Sequence, residues 1–428
     1  MRKMKDSGIE WIGEIPEGWE VSRFKNVMHK EKVICEHYEG QDIISLTMNG
    51  VIKRDLENPS GKMPTTWDGY QFVEPEDLLL CLFDIDVTPR CVGLVKNKGL
   101  TSPAYSRLKV HKGYFNAYYN YLLRWIDDEK IFVHLSKNLR SSLTENDFGA
   151  LYTIIPPLYE QQQIADFLDK KCSEIDFVIS KTRETIEEYK KLKQSIITEV
   201  VTGKVKIENE KVKESEMLEL KGDNLPNGWR WMKLKFLIDK NLQYGANDSG
   251  IEYNPILPRY VRITDIDSNG KLKNDEMLSL SEENSKDYFL EEGDILFARS
   301  GASVGKTFIY KAEYGRCCFA GYLIRAKLNK KIINPQFFFY YTLSSKYDIW
   351  KNGIFIQSTI QNIGADKYSN LEVPVPPLNS QLSLITFLDK KCSEIDKLIT
   401  KKEQLVVELE SYKKSLIYEV VTGKKEIC

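Results

Sequence analysis

The sequence lacks a long hydrophobic run. Its longest apolar stretches, residues 78–83 and 337–341, fall far short of the roughly 18 residues that span a bilayer. The first residues carry no hydrophobic signal segment. We therefore expect a cytoplasmic protein with no membrane partner.

Histidines and closely spaced cysteines are also scarce. The four histidines all lie in the first third of the chain, and none of the eight cysteines forms a CxxC pair or has a histidine at a zinc-ligand spacing. We expect reduced, mostly buried thiols and no metal site. The last two thirds of the chain cannot use histidine as a base or a metal ligand.

Neither sign of charge is in excess. Sixty-one Lys and Arg residues face 62 Asp and Glu residues, for a net charge of -1, and 42% of the 428 residues are hydrophobic. This composition is typical of a globular protein of two to four domains and excludes a broadly disordered chain. It argues against a protein coated in positive charge, but it leaves local basic faces open.

What the chain does contain is an internal repeat. The ten residues Phe167–Asp176 recur letter for letter as Phe387–Asp396, at an offset of 387 − 167 = 220. EVVTGK recurs at the same offset, starting at Glu199 and Glu419. The motifs ending in Trp19 and Trp229 are offset by 229 − 19 = 210. The chain is therefore a tandem duplication, in which each copy has a variable block followed by a closely repeated block.

The variable blocks have the pattern of mixed α and β structure. Gly, Pro, Asn and Asp turns separate short strand-like runs, and an aromatic-rich helix follows at residues 116–125 and 335–344. The predicted strands cover residues 43–46, 78–83, 93–95, 295–298, 307–310 and 322–328.

The closely repeated blocks predict long helices. Apolar residues recur at three- and four-residue spacings over about five heptads, interrupted by Lys171, Lys391 and Lys402. We expect helical rods of roughly 50 to 60 Å that end near Gly203 and Gly423 and pair antiparallel about a pseudo-two-fold axis. The alternative is that each helix packs only on its neighbouring domain. The predicted coiled-coil interface contains Leu168, Ile175, Val178, Leu192, Ile196, Leu388, Ile395, Leu398, Leu405, Leu409 and Leu416.

Three motifs resemble catalytic sites and fail on comparison of the repeats. Gly301–Thr307 is like a phosphate loop but has three residues between its glycines instead of four, which favours a strand-connecting loop. Asn334-Pro-Gln-Phe337 departs from a methyltransferase signature in its third residue and fits the start of a helix. Asp84 and Asp86 have no acidic counterparts in the second copy, so we interpret them as surface acids rather than metal ligands.

Polar clusters in the variable blocks suit contact with DNA. Arg can bind guanine with two hydrogen bonds, Asn and Gln can bind adenine, and hydroxyls and Lys hold phosphates. Taken singly, residues of this kind are more often solvated loop residues. The candidate DNA-binding residues are Arg90, Arg140, Ser141, Ser142, Arg299, Ser300, Lys306, Gln357, Ser358 and Thr359.

At this point the chain resembles the specificity (HsdS) subunits of type I restriction-modification systems. The resemblance covers almost the whole length. It is carried by Asp6–Trp19, by the strand start at Gly293-Asp294, by the PPLxxQ motifs beginning at Pro156 and Pro376, and by the duplicated helices. It implies an α+β fold in which two mixed α/β target-recognition domains are joined by two long antiparallel coiled-coil helices in a pseudo-two-fold tandem repeat.

The resemblance also implies domain boundaries. Residues 1–155 would form the first recognition domain and 156–206 the first helical region. Residues 207–375, with a linker at 207–224, would form the second recognition domain, and 376–428 the second helical region.

By the same resemblance, the chain itself is not an enzyme. Each recognition domain would read one half of an asymmetric bipartite site in double-stranded DNA, and the helices would set the spacer. Two modification (methyltransferase) subunits and the restriction (translocase and endonuclease) subunits would be its partners. S-adenosylmethionine, ATP and magnesium would belong to those subunits, with no cofactor bound here directly. The alternatives are a self-contained restriction-modification enzyme and a coiled-coil assembly protein without base readout.

Overall fold

The computed structural model describes residues 2–48, 50–58, 64–88, 90–136, 141–205, 207–208, 211–212, 225–267, 270–356 and 362–427. The chain folds into two compact units. Unit 1 comprises Met1–Arg183 and Gln404–Cys428, and unit 2 comprises Glu184–Glu403. Each unit therefore combines one variable block with part of each closely repeated block.

Unit 1 builds its strands from the short runs that turn residues separate. Its main sheet is antiparallel and has the strand order β4-β11-β8-β9, while β3 pairs with β12. The strands are β1 (Met4–Asp6), β2 (Glu14–Pro16), β3 (Glu20–Arg23), β4 (Met28–Lys30), β5 (Ile44–Thr47), β6 (Gly50–Lys53), β7 (Gln71–Val73), β8 (Leu78–Leu80), β9 (Val92–Leu94), β10 (Gly99–Thr101), β11 (Ser106–Val110) and β12 (Tyr152–Ile155).

Four shorter helices and the start of a long one accompany these strands. The aromatic-rich helix α2 packs on β9 at the edge of the main sheet. The helices are α1 (Phe24–Val27), α2 (Asn116–Asp128), α3 (Ile131–Leu135), α4 (Glu145–Ala150) and the 44-residue α5 (Leu158–Val201).

Unit 2 repeats this arrangement. Its antiparallel sheet β16-β23-β20-β21 corresponds to the main sheet of unit 1, and β15 pairs with β24 as β3 pairs with β12. A further sheet has the order β17-β19-β18-β22. The strands are β13 (Ile207–Glu208), β14 (Lys211–Val212), β15 (Arg230–Lys233), β16 (Gln243–Tyr244), β17 (Ile251–Glu252), β18 (Arg259–Val261), β19 (Leu278–Ser279), β20 (Ile295–Ala298), β21 (Thr307–Ile309), β22 (Cys317–Phe319), β23 (Leu323–Ala326) and β24 (Glu372–Val375).

The helices of unit 2 also follow the repeat. Helix α7 occupies the place of α2, and the second long helix, α10, has the same 44-residue length as α5. The helices are α6 (Glu282–Ser285), α7 (Pro335–Thr342), α8 (Ser345–Ile356), α9 (Ala365–Ser369) and α10 (Leu378–Val421).

Repeat-related hydrogen bonds join each aromatic helix to a long helix. Tyr121 donates to Asp169 over 2.6 Å in unit 1, and Tyr340 donates to Asp389 over 2.5 Å in unit 2. The glutamine of each PPLxxQ motif is fully buried. Its carbonyl accepts the N–H of Phe115 in unit 1 and of Asn334 in unit 2. The motif therefore fixes the start of the aromatic helix.

The long helices run antiparallel within each unit. In unit 1, Asp176 of α5 binds Lys413 of α10, and Arg183 binds Glu410. Residue numbers rise along one helix as they fall along the other. In unit 2, Lys193 binds Asp396, the same pair displaced by one repeat. The predicted α+β fold, with two mixed domains and long antiparallel helices in tandem repeat, is confirmed.

The buried seam differs in part from the predicted one. Leu168, Ile175, Leu388, Ile395 and Leu416 are buried as predicted. Ile196 and Leu409 are partly buried against the apolar cores.

Val178, Leu192, Leu398 and Leu405 instead remain 40% to 48% exposed. The buried residues Ile179, Ile399 and Val406 each follow one of these directly, and one residue along a helix turns the side chain by about 100°. Lys171 and Lys391 also lie off the seam, where each pairs with a glutamate three residues later.

Glycines end both long helices. Gly203 has φ +71° and Gly423 has φ +72°, a left-handed conformation that favours glycine. A Cβ atom on Gly423 would lie 2.5 Å from the ring of Pro16, and one on Gly203 would lie 2.5 Å from Pro226. The predicted helix ends are confirmed, and each packs against the PxGW motif of its own unit.

Some element boundaries differ from the sequence prediction. The strand predicted at 78–83 ends at Leu80, and the helix predicted at 116–125 continues to Asp128. The helix predicted at 335–344 ends at Thr342, and α8 follows it without having been predicted. The seven cysteines in the described ranges are buried free thiols, as expected. No helix within those ranges is long and apolar enough to cross a membrane.

Candidate nucleic-acid interface

Residues 299–306 connect β20 to β21 in unit 2, and we call this loop tip 2. Tyr347 donates a hydrogen bond to the Gly305 carbonyl over 2.9 Å, and Tyr368 donates to the Ala298 carbonyl over 3.2 Å. Burial raises the pKa of both tyrosines, so both hydroxyls keep the protons that they donate. Tip 2 is therefore held in place by buried side chains.

Three of the candidate DNA-binding residues lie together on tip 2. Arg299 is half-buried, and its guanidinium carbon lies 5.0 Å from the ring centroid of Tyr244 and 5.8 Å from that of Tyr322. Ser300 forms a β-bridge with Asn362, and Lys306 is exposed. The structure thus brings a guanidinium in contact with aromatic rings, a hydroxyl and an exposed ammonium to one loop.

Residues 81–91 connect β8 to β9 in unit 1, and we call this loop tip 1. It occupies the place of tip 2 but exposes Phe83, Asp84, Asp86 and Val87. Ile85 is buried and anchors the loop, and its N–H donates to the Ser141 carbonyl over 3.1 Å. Tip 1 therefore presents carboxylates and apolar side chains where tip 2 presents cations.

Arg90 lies within tip 1 and is held by ion pairs. Its Nη1 atom lies 2.8 Å from Asp128 and 3.6 Å from Asp127, and its side chain is 10% exposed. Burial raises the pKa of Asp127, although the Cys91 N–H and Arg90 both oppose that rise. The structure therefore gives Arg90 a structural contact, and its contact with DNA stays a prediction.

The other candidate residues lie at the end of each variable block. Ser141 has a left-handed φ of 43°, and Ser142 follows it, two residues before Thr144, which caps helix α4. Both lie beside tip 1, because the Ser141 carbonyl binds the Ile85 N–H. Arg140, Gln357, Ser358 and Thr359 lie outside the described residues.

The three motifs that resemble catalytic sites have structural explanations. Gly301–Ser303 forms a single 3₁₀ turn between antiparallel strands, and buried Thr307 hydrogen-bonds Thr342, so this segment is a strand-connecting loop as predicted. Asn334 caps α7 by accepting the Gln336 N–H over 2.8 Å, which confirms the predicted helix start. Asp84 and Asp86 are exposed, and the described residues contain no cluster of three potential metal ligands.

Sequence reasoning did not find the two rings that flank Arg299. Tyr322 aligns with Tyr105 in the repeat, and that match was its only signal. Tyr244 comes from β16, more than fifty residues before Arg299, and no local motif marks it. Its hydroxyl accepts the Ala365 N–H over 3.0 Å, which ties it to the start of α9.

Comparison with known proteins agrees with this architecture. The family model for the type I restriction modification DNA specificity domain matches residues 226–408. The putative type I restriction enzyme MjaX specificity subunit of Methanocaldococcus jannaschii is 25% identical over 96% of this chain and 95% of its own length. The MjaVIII specificity subunit of the same organism is 27% identical over 63% of this chain and 61% of its own.

A solved structure shares the fold. It comes from work on the structural basis underlying complex assembly and conformational transition of the type I R-M system. One of its chains aligns with a TM-score of 0.71 and 16% identity over 96% of this chain and 99% of its own length. The specificity-domain match in residues 226–408 and the MjaX relative matched over nearly the full length make this chain similar to the specificity subunits of type I restriction-modification systems, and the solved structure shows the shared fold.

Proposed function

We propose that unit 1 and unit 2 each read one half of an asymmetric bipartite DNA site. The observation that carries the proposal is the contrast between the two tips on a repeated frame. Tip 1 exposes Asp84 and Asp86, whereas tip 2 carries Arg299 and Lys306. Carboxylates can accept hydrogen bonds from cytosine, and guanidinium groups can donate to guanine. Equivalent frames with different tips suit two half-sites of different sequence.

The long helices would set the spacer between the half-sites and bind the modification subunits. Apolar residues are exposed at repeat-related positions of both helices: Val178 and Leu398, and Leu192 and Tyr412. Isolated exposed apolar residues are ordinary, but their recurrence at the repeat interval favours two equivalent docking sites. Two copies of one modification subunit fit that symmetry.

The chain itself would contribute recognition and no catalysis. S-adenosylmethionine would then be bound by the modification subunits, and ATP and magnesium would act in the restriction subunits. The rival function, a self-contained restriction-modification enzyme, is favoured only by the two motifs that the fold explains as a strand-connecting loop and a helix cap. A coiled-coil assembly protein without base readout would leave the different chemistry of the tips unexplained.

Methylome sequencing of cells with and without this gene tests the proposal. We expect an asymmetric bipartite motif with methylated adenines that is lost when the gene is deleted. An unchanged methylome in cells that produce the modification subunits would contradict the proposal. Purified chain that transfers methyl groups or hydrolyses ATP by itself would favour the self-contained enzyme. Retained subunit binding without preference among DNA sequences would favour the assembly protein.

A further inference from the structure

We infer that Arg299 reads a guanine in the half-site bound by unit 2, with Tyr244 and Tyr322 holding its guanidinium in the reading orientation. The inference rests on the proposed function and deepens it. It names one specificity-determining residue, the base that it selects and the two residues that position it.

The first observation is that the Arg299 guanidinium has no acceptor among the described residues. Its Nε atom is buried without a hydrogen-bond partner, as is the Nε of Arg259. Unlike the terminal nitrogens of Arg259, those of Arg299 pair with no carboxylate or carbonyl in the described ranges. The remaining half-buried or buried arginines of unit 2 all have such partners. Arg259 donates to the Lys273 carbonyl, Arg262 to Asp265, and Arg325 to the Phe289 carbonyl. Arg299 therefore retains donors for a ligand.

The second observation is that Arg299 is fixed. The backbone N–H of Arg299 donates to the Tyr322 carbonyl over 3.0 Å, and the backbone carbonyl of Arg299 accepts the Ile363 N–H over 2.8 Å. The two aromatic rings add cation–π contacts to the guanidinium. A guanidinium that is already oriented loses little entropy when it binds.

A guanidinium that is fixed in orientation is better suited to bind the edge of a base than a phosphate. A phosphate offers acceptors in many directions, so a flexible lysine binds it adequately. The O6 and N7 atoms of guanine form one planar pair of acceptors in the major groove, which a correctly oriented guanidinium matches with two hydrogen bonds. Exposed Lys306 on the same tip suits the phosphate contact.

Comparison of the two repeats predicts this guanine contact in only one half-site. The Arg299 carbonyl binds the Ile363 N–H, and the corresponding bond in unit 1 joins the Leu82 carbonyl to the Leu143 N–H. Leu82 therefore occupies the position in unit 1 that is equivalent to Arg299, and its side chain cannot donate a hydrogen bond to a base. We expect the guanine contact in only one of the two half-sites.

Selection from a randomised duplex DNA pool tests the inference. The full chain, assembled with its modification subunits, is allowed to bind the pool, and the bound DNA is sequenced. Wild type should enrich a bipartite site with guanine at a defined position of one half. Arg299→Lys, which keeps the charge, should lower the preference for that guanine about tenfold or more while every other position stays the same. Arg299→Gln should shift that position towards adenine.

Matched variants separate base reading from charge and from folding. Lys306→Ala should weaken binding to all sequences without changing the motif. Tyr322→Leu should reduce the guanine preference, and Tyr322→Phe should retain it because the ring is kept. If the Arg299 variants unfold, as judged by thermal unfolding, the Tyr322 pair carries the same test.

The outcomes are distinct. If wild type enriches a bipartite site and Arg299→Lys keeps the full guanine preference, or weakens all sequences equally, the inference is overturned and the proposed function stands. If wild type enriches no sequence at all, the proposed function fails, and the inference fails with it.

Discussion

Lys413 donates hydrogen bonds to both carboxylate oxygens of Asp176, each over 2.6 Å. One repeat away, Lys193 does the same to Asp396 over 2.7 and 2.8 Å. Both lysines occupy positions of the buried seam, where an ammonium group is tolerated only if an acceptor is close. Because the pair forms only in one register, it favours the antiparallel alignment observed in each unit.

This relationship predicts an asymmetric mutational response. Asp176→Ala leaves the Lys413 ammonium, whose side chain is 11% exposed, without its acceptor and should lower the free energy of unfolding by about 1–2 kcal/mol. Adding Lys413→Met should restore most of that loss, because the unpaired charge is then removed. Urea unfolding of the two single variants and the double variant measures the effect.

The matched control is Asp396→Ala in unit 2. Its partner Lys193 is 20% exposed and reaches water more easily, so the loss should be smaller than for Asp176→Ala. An equal or larger loss in unit 2 would contradict the assignment of the penalty to burial.

The N-terminal segment of unit 1 should respond to acid. Burial by itself raises the pKa of Glu160, but hydrogen bonds from Arg2 and Trp19 outweigh burial and leave the pKa below its ordinary value of 4.5. A lowered pKa in the folded state stabilises the fold above pH 4.5, and that contribution is lost as the pH falls through the lowered value. Glu160→Gln lacks this contribution.

We therefore expect Glu160→Gln to be less stable than wild type at neutral pH and to approach wild type as the pH falls below 4.5. Urea midpoints of both proteins between pH 3 and pH 7 measure this. A stability difference that is independent of pH would show that the carboxylate charge of Glu160 is not what holds Trp19 and Arg2.

The glycines that end the long helices should tolerate no side chain. Gly423→Ala and Gly203→Ala should each lower the free energy of unfolding by at least about 1 kcal/mol, because φ is positive and a proline ring occupies the space of the new Cβ. Gly353→Ala is the control. Gly353 lies in α8 with open space around it, and this change should raise stability by about 0.5–1 kcal/mol. A loss at Gly353 comparable to that at Gly423 would show that positive φ and the proline contact are not the cause of the destabilisation.

Removing one heptad from both long helices should change the DNA spacer. Deletion of residues 183–189 together with 403–409 keeps the seven-residue period and the repeat symmetry. It shortens each helix by about 10 Å, close to three base pairs. Methylome sequencing should find both half-sites unchanged and the spacer shorter. An unchanged spacer would disprove the role of the helices in setting it.

The repeat made much of the fold predictable from the sequence. Two copies at one offset distinguish the frame from the variable surface, so the helix ends at Gly203 and Gly423 and the helix start at Asn334 were predicted correctly. The buried seam between the long helices was harder to predict. Val178 and Ile179 are adjacent and both apolar, so either could face the partner helix. Buried Cys172 and Cys392 fix the register, since they precede Ile179 and Ile399 by seven residues.

The candidate site was less predictable, because its contacts join distant parts of the chain. Tips 1 and 2 are equivalent and each carries an arginine, yet Arg90 is paired with Asp127 and Asp128, whereas Arg299 makes cation–π contacts with two tyrosines. No pattern around either arginine distinguishes the two. Only the tertiary arrangement determines that Arg90 is ion-paired with carboxylates while Arg299 lies over aromatic rings.

Exchange of the second variable block tests whether each unit reads one half-site. Residues 229–375 are replaced by the corresponding block of a specificity subunit to which this chain is similar, and the methylome of cells carrying the chimera is sequenced. We expect a bipartite motif in which one half-site is new while the other half-site is unchanged. A motif altered in both halves would contradict the assignment of one half-site to each unit.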